Sequence, residues 1–592
     1  MKRPVLLKRE GEYLLSWEEV KRLSDEALLY GGFSSEDQGH GPAPSPTLLL
    51  NTGFLSEEDL LRLARAERKR FEENAFRSYV YDTREEPVAV FSKDPETLKR
   101  FFETYGGLFT GKAFCLTKSA EFPLIDDLVI QKEKGRYRLS YLLWSPVVEE
   151  KCHRCGECGR KCPKGAISFG PVIDPQRCDL CRECEKACPE AALELSRYEE
   201  IEENFGFLLF LDEIPPEIPR LRGRLFGPGE LEKFFSRLGS FEISETIQFD
   251  GKRCQFIPRF GCGCELCHSV CLEEALKVED EIFVDHFLCL DCGRCVSSCP
   301  TGALVYAPFK DEGFIPYLHA LPLKGRTVVV GREEDLARFF WSPSFPKEGA
   351  FFFLAHEAPE ALGLPQLLSL LARAAARIIL ITEDHRASAL ANEILARLFG
   401  KRPLVTTDLE GLPEALSRDD TLTLGPFELP HFEDRRRYLA RILKLFWEKA
   451  GKPSFTLQTE GFGLLEIDSE RCTLCLACLN GCRTGALAAD AQNFALTFEP
   501  ALCVACRVCE KICPEKALKL KEGLFLEEGF FTRKILARDE PVLCRRCGKV
   551  FGTRKSLQKV LETLRNKEVF DEILPLLSYC EDCRVKELFE ED

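Results

Sequence analysis

Methionine is all but missing from this chain: one residue in 592, at position 1, in a composition that is 30% charged. A lone methionine beside many Arg, Glu and Leu residues is compatible with a thermophile. Long apolar runs are missing too. Stretches such as Arg377–Ile381 fall far short of the ~18–20 residues a membrane span needs. The N-terminus, MKRPVLLKREGEYLL, is basic but has no apolar core and no small-residue cleavage site, so no secretory signal is read and the cytoplasm is the expected location. Positive charge is in deficit, with 81 Lys and Arg against 96 Asp and Glu, a formal charge of −15 that disfavours nucleic acid. No G-x-G-x-x-G and no G-x4-G-K-[ST] occurs, and flavin, nicotinamide and molybdopterin signatures are missing as well. Any catalysis would then belong to a partner, and no activity of the chain alone is expected.

Cysteine is what the chain has in quantity. In a short secreted chain, 30 cysteines would suggest disulfides; here length and spacing favour metal ligation. Twenty-four fall into six near-copies of C-x2-C-x2-C-x3-C, arranged as three pairs. The first pair is Cys152, Cys155, Cys158, Cys162 with Cys178, Cys181, Cys184, Cys188. The second is Cys262, Cys264, Cys267, Cys271 with Cys289, Cys292, Cys295, Cys299. The third is Cys472, Cys475, Cys478, Cys482 with Cys503, Cys506, Cys509, Cys513. This spacing aims three thiolates at one iron–sulfur cube, and the fourth cysteine, usually followed by proline, reaches the neighbouring cube. Six [4Fe–4S] clusters are expected. Because an oxidised cube with four thiolates is itself an anion, ligation deepens the negative charge and favours low potentials.

The tails repeat as well: CPKGAI from Cys162, CPEAAL from Cys188, CLEEAL from Cys271, CPTGAL from Cys299, CRTGAL from Cys482 and CPEKAL from Cys513. On these motifs each pair resembles a bacterial two-cluster ferredoxin, and the chain resembles a polyferredoxin of three 2[4Fe–4S] modules. The resemblance implies crossed ligation. Cys152, Cys155, Cys158 and Cys188 would hold one cube and Cys178, Cys181, Cys184 and Cys162 the next. In module two the sets would be Cys264, Cys267, Cys299 and Cys262, then Cys289, Cys292, Cys295 and Cys271. In module three they would be Cys472, Cys475, Cys478 and Cys513, then Cys503, Cys506, Cys509 and Cys482. It also implies redox partners such as formate dehydrogenase, hydrogenase or a heterodisulfide-reductase-like complex in an anaerobe.

One motif departs from the pattern. Its first ligand would fall on Gly261; the nearest thiol is Cys262, one residue late, and Cys254 is a second candidate. Leu272 and Arg483 stand where proline is expected, and little follows from either. His153 and His268, the histidines inside the motifs, are candidate proton donors or plain loop residues.

The fold class expected is an α+β multidomain chain, with ferredoxin-like modules at 151–196, 251–308 and 462–522 interspersed with α/β domains. A helical region is expected over 1–80, with a Gly-, Ser- and Pro-rich loop at 31–47 and a capping-box start at Ser56. Small α/β units are expected at 81–150 and 197–250. A weak repeat of strand, turn and helix ending in paired Phe residues occurs at Val88–Phe102, Arg224–Phe235 and Thr327–Phe340. Residues 320–450 have no cysteine and alternate four strand-like runs with helices, the pattern of an open parallel sheet in three layers. Val330-Gly331-Arg332 and His356-Glu357 fall near its strand ends as candidate ligand contacts. The isolated Cys115 reads as a buried core thiol.

The tail, 540–592, carries two CxxC knuckles, Cys544/Cys547 and Cys580/Cys583, around a mostly helical insert. Four thiolates suit a closed tetrahedral zinc in a zinc-ribbon-like knuckle; a mononuclear iron would take the same ligands. Electron transfer is the leading function. An iron–sulfur accessory or assembly factor, and an enzyme with a site-differentiated cluster near Cys262, are the alternatives.

Overall fold

The computed structural model describes residues 5–8, 11–14, 46–51, 54–72, 78–565 and 574–589, apart from 134, 169, 222, 279–281, 287, 341, 347–348 and 419. The chain divides into two compact units, one of residues 77–245 with 285–290, the other of the remainder. Among the described residues no helix is long and apolar enough to cross a membrane.

In the 77–245 unit, the stretches expected as two small α/β units contribute to one four-stranded parallel sheet, in the order Leu225–Phe226, Phe207–Phe210, Val88–Ser92, Gly111–Cys115. Its central strands are apolar but for Ser92 and buried on both faces, as parallel strands are. Cys115 lies in that core beside Val88, Val90 and Phe207. A second sheet is antiparallel, Tyr198–Phe205 on Arg136–Trp144 on Ile125–Glu133. Its register pairs Tyr198 with Trp144, so module one is the loop thrown out where these two strands end. That loop is closed by Trp144 Nε1 donating to Leu195 O (2.8 Å) and Val148 N to Ala192 O (2.8 Å).

The other unit holds the cysteine-free domain. Its strands Phe351–Ala355, Thr327–Gly331, Arg377–Ile381 and Leu404–Thr407 are parallel in that spatial order. Thr327–Gly331 and Arg377–Ile381 are buried along their whole length; the helix Leu364–Ala372 packs against Arg377–Ile381 and the helix Arg386–Phe399 against Leu404–Thr407. The edge strand is covered by the Pro46–Asn51 helix. Asn51 exchanges two hydrogen bonds with the Phe353 backbone (2.6 and 2.9 Å), and Thr47 Oγ1 accepts from Ala355 N, which satisfies an otherwise open ladder. The helix Glu57–Glu72 starts at Ser56, whose hydroxyl accepts from Asp59 N (3.2 Å).

The N-terminal region is not helical throughout. Val5–Lys8 and Gly11–Leu14 pair as an antiparallel hairpin, and the loop expected over 31–47 lies outside the described residues up to residue 45. The three strand–turn–helix repeats are all present, and in each paired Phe one ring is buried and the other partly so: Phe101 and Phe102, Phe234 and Phe235, Phe339 and Phe340.

Module two is bounded by Ile247–Phe249 paired with Leu304–Tyr306, and module three by Gly463–Ile467 paired with Leu518–Glu522. Each pairing brings the ends of its module together, so a module can close around its cysteines.

Candidate metal centres

Five of the six motifs share one backbone device. The residue before the second cysteine and the residue after it are both left-handed: Arg154 and Gly156, Leu180 and Arg182, Asp291 and Gly293, Leu474 and Leu476, Ala505 and Arg507. Two reversals of hand in three residues curl the loop so that its side chains converge. The third cysteine then opens a single helical turn, such as Glu157–Lys161 or Val508–Ile512. Left-handed φ costs a non-glycine residue roughly 1 kcal/mol or more, so Leu474, Leu476 and Ala505 there mark an imposed shape.

The fourth cysteines are held alike. Cys162 Sγ accepts from Ala166 N (3.3 Å), Cys188 from Ala192 N (3.2 Å), Cys271 from Ala275 N (3.3 Å), Cys482 from Leu487 N (3.3 Å) and Cys513 from Ala517 N (3.4 Å). The tails read in the sequence supply these donors, four from the alanine four residues on and one, for Cys482, from Leu487. A backbone N–H aimed at sulfur favours the thiolate over the thiol, and it is one lever on cluster potential.

In module one, a cavity of about 230 Å³ is lined by Cys152, Cys155, Cys158 and Cys188. Cys184 is pushed up to about 11, first by burial and then by Cys178 nearby. In module three, Cys472, Cys475, Cys478 and Cys513 line a common cavity, and burial with those three neighbours pushes Cys478 up to about 12. Cys503 is likewise pushed up to about 12 by burial, with Cys506 and Cys482 adding to it. Such clusters of buried thiols repel as thiolates. Cationic iron resolves that, so the donor sets fit cubes.

Module two is different at its first motif. Cys267, pushed up to about 12 by burial, is raised further by Cys299 and Cys254; Cys264 is raised by burial and then by Cys299, Cys267 and Cys506. Cys262, expected to complete this set, lies within electrostatic reach of Cys506 of module three. Cys292 is raised by burial and has Cys271 near it.

Modules two and three are stapled together through residues the motifs did not single out. Arg483, in a proline's place, donates to Gly251 O (2.7 Å) and Cys254 O (2.8 Å), so a departure from the tail pattern that seemed neutral has a use. On the helix Arg435–Lys449, Arg435 donates to Cys299 O (3.1 Å) and Val296 O (2.6 Å), and pairs with Asp311 at 2.6 Å. Arg436 donates to Ala501 O and Gly461 O (both 2.9 Å) and to Cys503 O. Burial lowers Arg436 to about 10 against the opposing pull of Cys503 and Cys264. A buried cation whose hydrogen bonds all go to carbonyls needs anionic charge close by, and filled cluster sites supply it.

Other candidates resolve as ordinary structure. His153 and His268 are exposed. His356 is buried, stacks on Phe309 at 4.0 Å, and accepts from Ala358 N (3.1 Å). Arg332 lies 3.8 Å from Glu360.

At the C-terminus, the sulfurs of Cys544, Cys547, Cys580 and Cys583 all lie within 4.8 Å of one another, and Cys547 and Cys580 are 3.6 Å apart. A tetrahedron with ~2.3 Å metal–sulfur bonds has sulfur edges of about 3.8 Å, so the group fits one metal ion and is too tight for a cube. The first knuckle turns at Gly548, whose φ of 72° is left-handed. Cys583 sits on the closing helix Glu581–Phe589.

Comparison with known proteins agrees with this geometry. Models described as 4Fe-4S binding domains match residues 171–193, 146–168 and 282–305, and a 4Fe-4S dicluster domain matches residues 464–514. These take in five motifs; residues 254–271 lie outside them. The chain therefore carries several [4Fe–4S]-binding domains of ferredoxin type. In particular, it is 43% identical over 51 residues to indolepyruvate oxidoreductase subunit IorA of Archaeoglobus fulgidus, and 33% identical over 54 residues to a protein named Ferredoxin 7Fe from Hydrogenibacillus schlegelii. Each match covers 9% of this chain, and they span 8% and 65% of the two relatives.

Proposed function

We propose that this protein is a polyferredoxin, an electron carrier with six [4Fe–4S] cubes and one tetrahedral zinc, passing low-potential electrons between redox proteins. The observation that carries the reading is the meeting of two modules: Cys264 of module two lies within electrostatic reach of Cys506 of module three, and Arg436 within reach of both Cys264 and Cys503. Bound cubes supply one-electron redox chemistry at potentials set by their surroundings. The chain's residues do the rest. Thiolates fix the sites, backbone N–H groups tune sulfur, and Arg435, Arg436 and Arg483 hold the sites of two modules at one junction although a whole α/β domain separates them in sequence.

The partners are redox proteins, donor at one surface and acceptor at another, and the acidic surface suits docking on basic patches. The stretch shared with an oxidoreductase subunit supports a partner of the oxidoreductase kind. The test is anaerobic metal analysis with an EPR redox titration. About 24 Fe and one Zn per chain are expected, with reversible reduction by a low-potential donor and magnetic interaction between neighbouring reduced cubes. Fewer than about 16 Fe after full reconstitution, four cubes' worth, would rule out six cubes.

A further inference from the structure

The irregular motif lacks the backbone that makes the other five work. Its equivalents of the two left-handed positions are Gly263, with φ of 152°, and Glu265, with φ of −121°. In place of the curled loop stands a hairpin: Phe256–Ile257 pairs with Cys262–Gly263 around the turn Pro258–Phe260. Gly263 is required there, because a Cβ would lie 2.2 Å from Gln255 O and 2.5 Å from Phe256 Cα.

The hairpin changes which thiol can serve first. At the regular first positions Cys472 and Cys503, the thiol is held by the backbone N–H two residues on, from Leu474 and Ala505. For Cys262 the corresponding donor, Cys264 N, is given to Gln255 O (3.3 Å). Cys254 has it: its sulfur accepts from Phe256 N at 3.4 Å. The same Cys264–Gln255 bond carries the pairing one step beyond the hairpin, with Cys254 the next residue along that strand, whereas Cys262 faces Ile257 nearer the turn. Cys254 is buried, within electrostatic reach of Cys299 and Cys267, and its carbonyl is pinned by Arg483.

We infer that Cys254, with Cys264, Cys267 and Cys299, holds the sixth cube, and that Cys262 is a non-ligating thiol beside the module-three site at Cys506. The inference rests on the six-cube reading and refines it. The displaced ligand has a structural reason: Cys254 is the residue Arg483 grips, so the cube at the junction is anchored to the staple between modules.

The test uses the full-length chain with Cys254→Ser, Cys262→Ser and, as control, Cys264→Ser, each reconstituted anaerobically. Iron per chain and EPR spectra are read. Cys254→Ser is expected to lose one cube, about four Fe, or to convert one cube to a three-iron centre with its own EPR signal, as Cys264→Ser does. Cys262→Ser is expected to keep the full iron count and the wild-type spectrum. Loss of a cube in Cys262→Ser overturns the assignment, and so does an unchanged spectrum in Cys254→Ser. The signals of the other five cubes report whether each variant has folded. A wild-type chain short of six cubes would fail the underlying reading instead.

Discussion

Arg435 and Arg436, neighbours on one helix, bond to different modules: Arg435 to the carbonyl of Cys299 in module two, Arg436 to that of Cys503 in module three. Both side chains are buried, yet only Arg435 has a carboxylate, Asp311, as partner. The pair makes the helix of an α/β domain the brace between two cluster-binding modules.

The charge of Arg436, whose hydrogen bonds go to carbonyls beside the cluster sites, should set potentials. A unit charge ~7 Å from a cube, at an effective dielectric of ~20, is worth roughly 2 kcal/mol, on the order of 100 mV for one electron. Arg436→Gln should therefore lower the potentials of the two cubes at this junction by about that much, since reduction adds negative charge. Arg436→Lys keeps the charge and loses the fork, so potentials should hold while stability falls. An EPR-monitored titration checks both; equal shifts in the two variants would mean that geometry, and not charge, is at work.

The Arg435–Asp311 pair should matter chiefly for stability. Asp311 also accepts from Gln366 Nε2 (2.6 Å), and Gln366 Oε1 accepts from Gly363 N (3.0 Å), so the pair sits within a satisfied network. Breaking a buried pair from one side costs about 3–5 kcal/mol, because the other charge is left alone. Asp311→Asn should lower the midpoint of an anaerobic denaturant titration, followed by fluorescence and cluster absorbance together. An unchanged midpoint would mean Arg435 finds another anion.

Crossed ligation predicts a pattern in paired substitutions. If Cys188 completes the cube of Cys152, Cys155 and Cys158, then Cys152→Ala with Cys188→Ala removes one cube, about four Fe. Cys178→Ala with Cys188→Ala removes two, about eight Fe. Uncrossed ligation reverses the two counts. Metal analysis of the purified variants decides between them.

What the sequence let one read follows from how local each signal is. Cysteine spacing and the tails are local, and five motifs show the same curled loop where that spacing falls. The four parallel strands of the cysteine-free domain were legible too, because fully buried strands are apolar runs set off by helices. The single sheet joining Val88–Ser92 to Phe207–Phe210 was not, since a whole module intervenes in sequence. Cys254 was visible as a cysteine, but a hairpin sets it ten residues before Cys264, and pairing of that kind leaves little mark beyond Gly263. Arg435 and Arg436 read as a charged helix start. The signal that could have found them is periodic: Arg435, Tyr438, Leu439, Ile442, Leu443 and Phe446 lie on one buried face, which begins with an arginine. Arg483 also announced itself, as the arginine where a proline belonged.

The C-terminal site should behave as an independent metal centre. Its four sulfurs are too close for a cube and well placed for one tetrahedral ion. Cys544 illustrates how the knuckle prepares a thiolate: burial opposes ionisation, but backbone N–H groups of Cys547, Cys580 and Arg546 outweigh it and lower the thiol to about 6. Cys547→Ala should remove one Zn per chain and leave iron content and the EPR spectrum unchanged. Because, among the described residues, Phe551 and Tyr579 are the partly buried apolar side chains packed on this cluster, the metal carries the local fold. Limited proteolysis should then cut the variant within 540–592 while the rest of the chain resists. Loss of iron alongside zinc would tie this site to the cubes, and iron in place of zinc in the wild-type protein would make it a seventh redox centre.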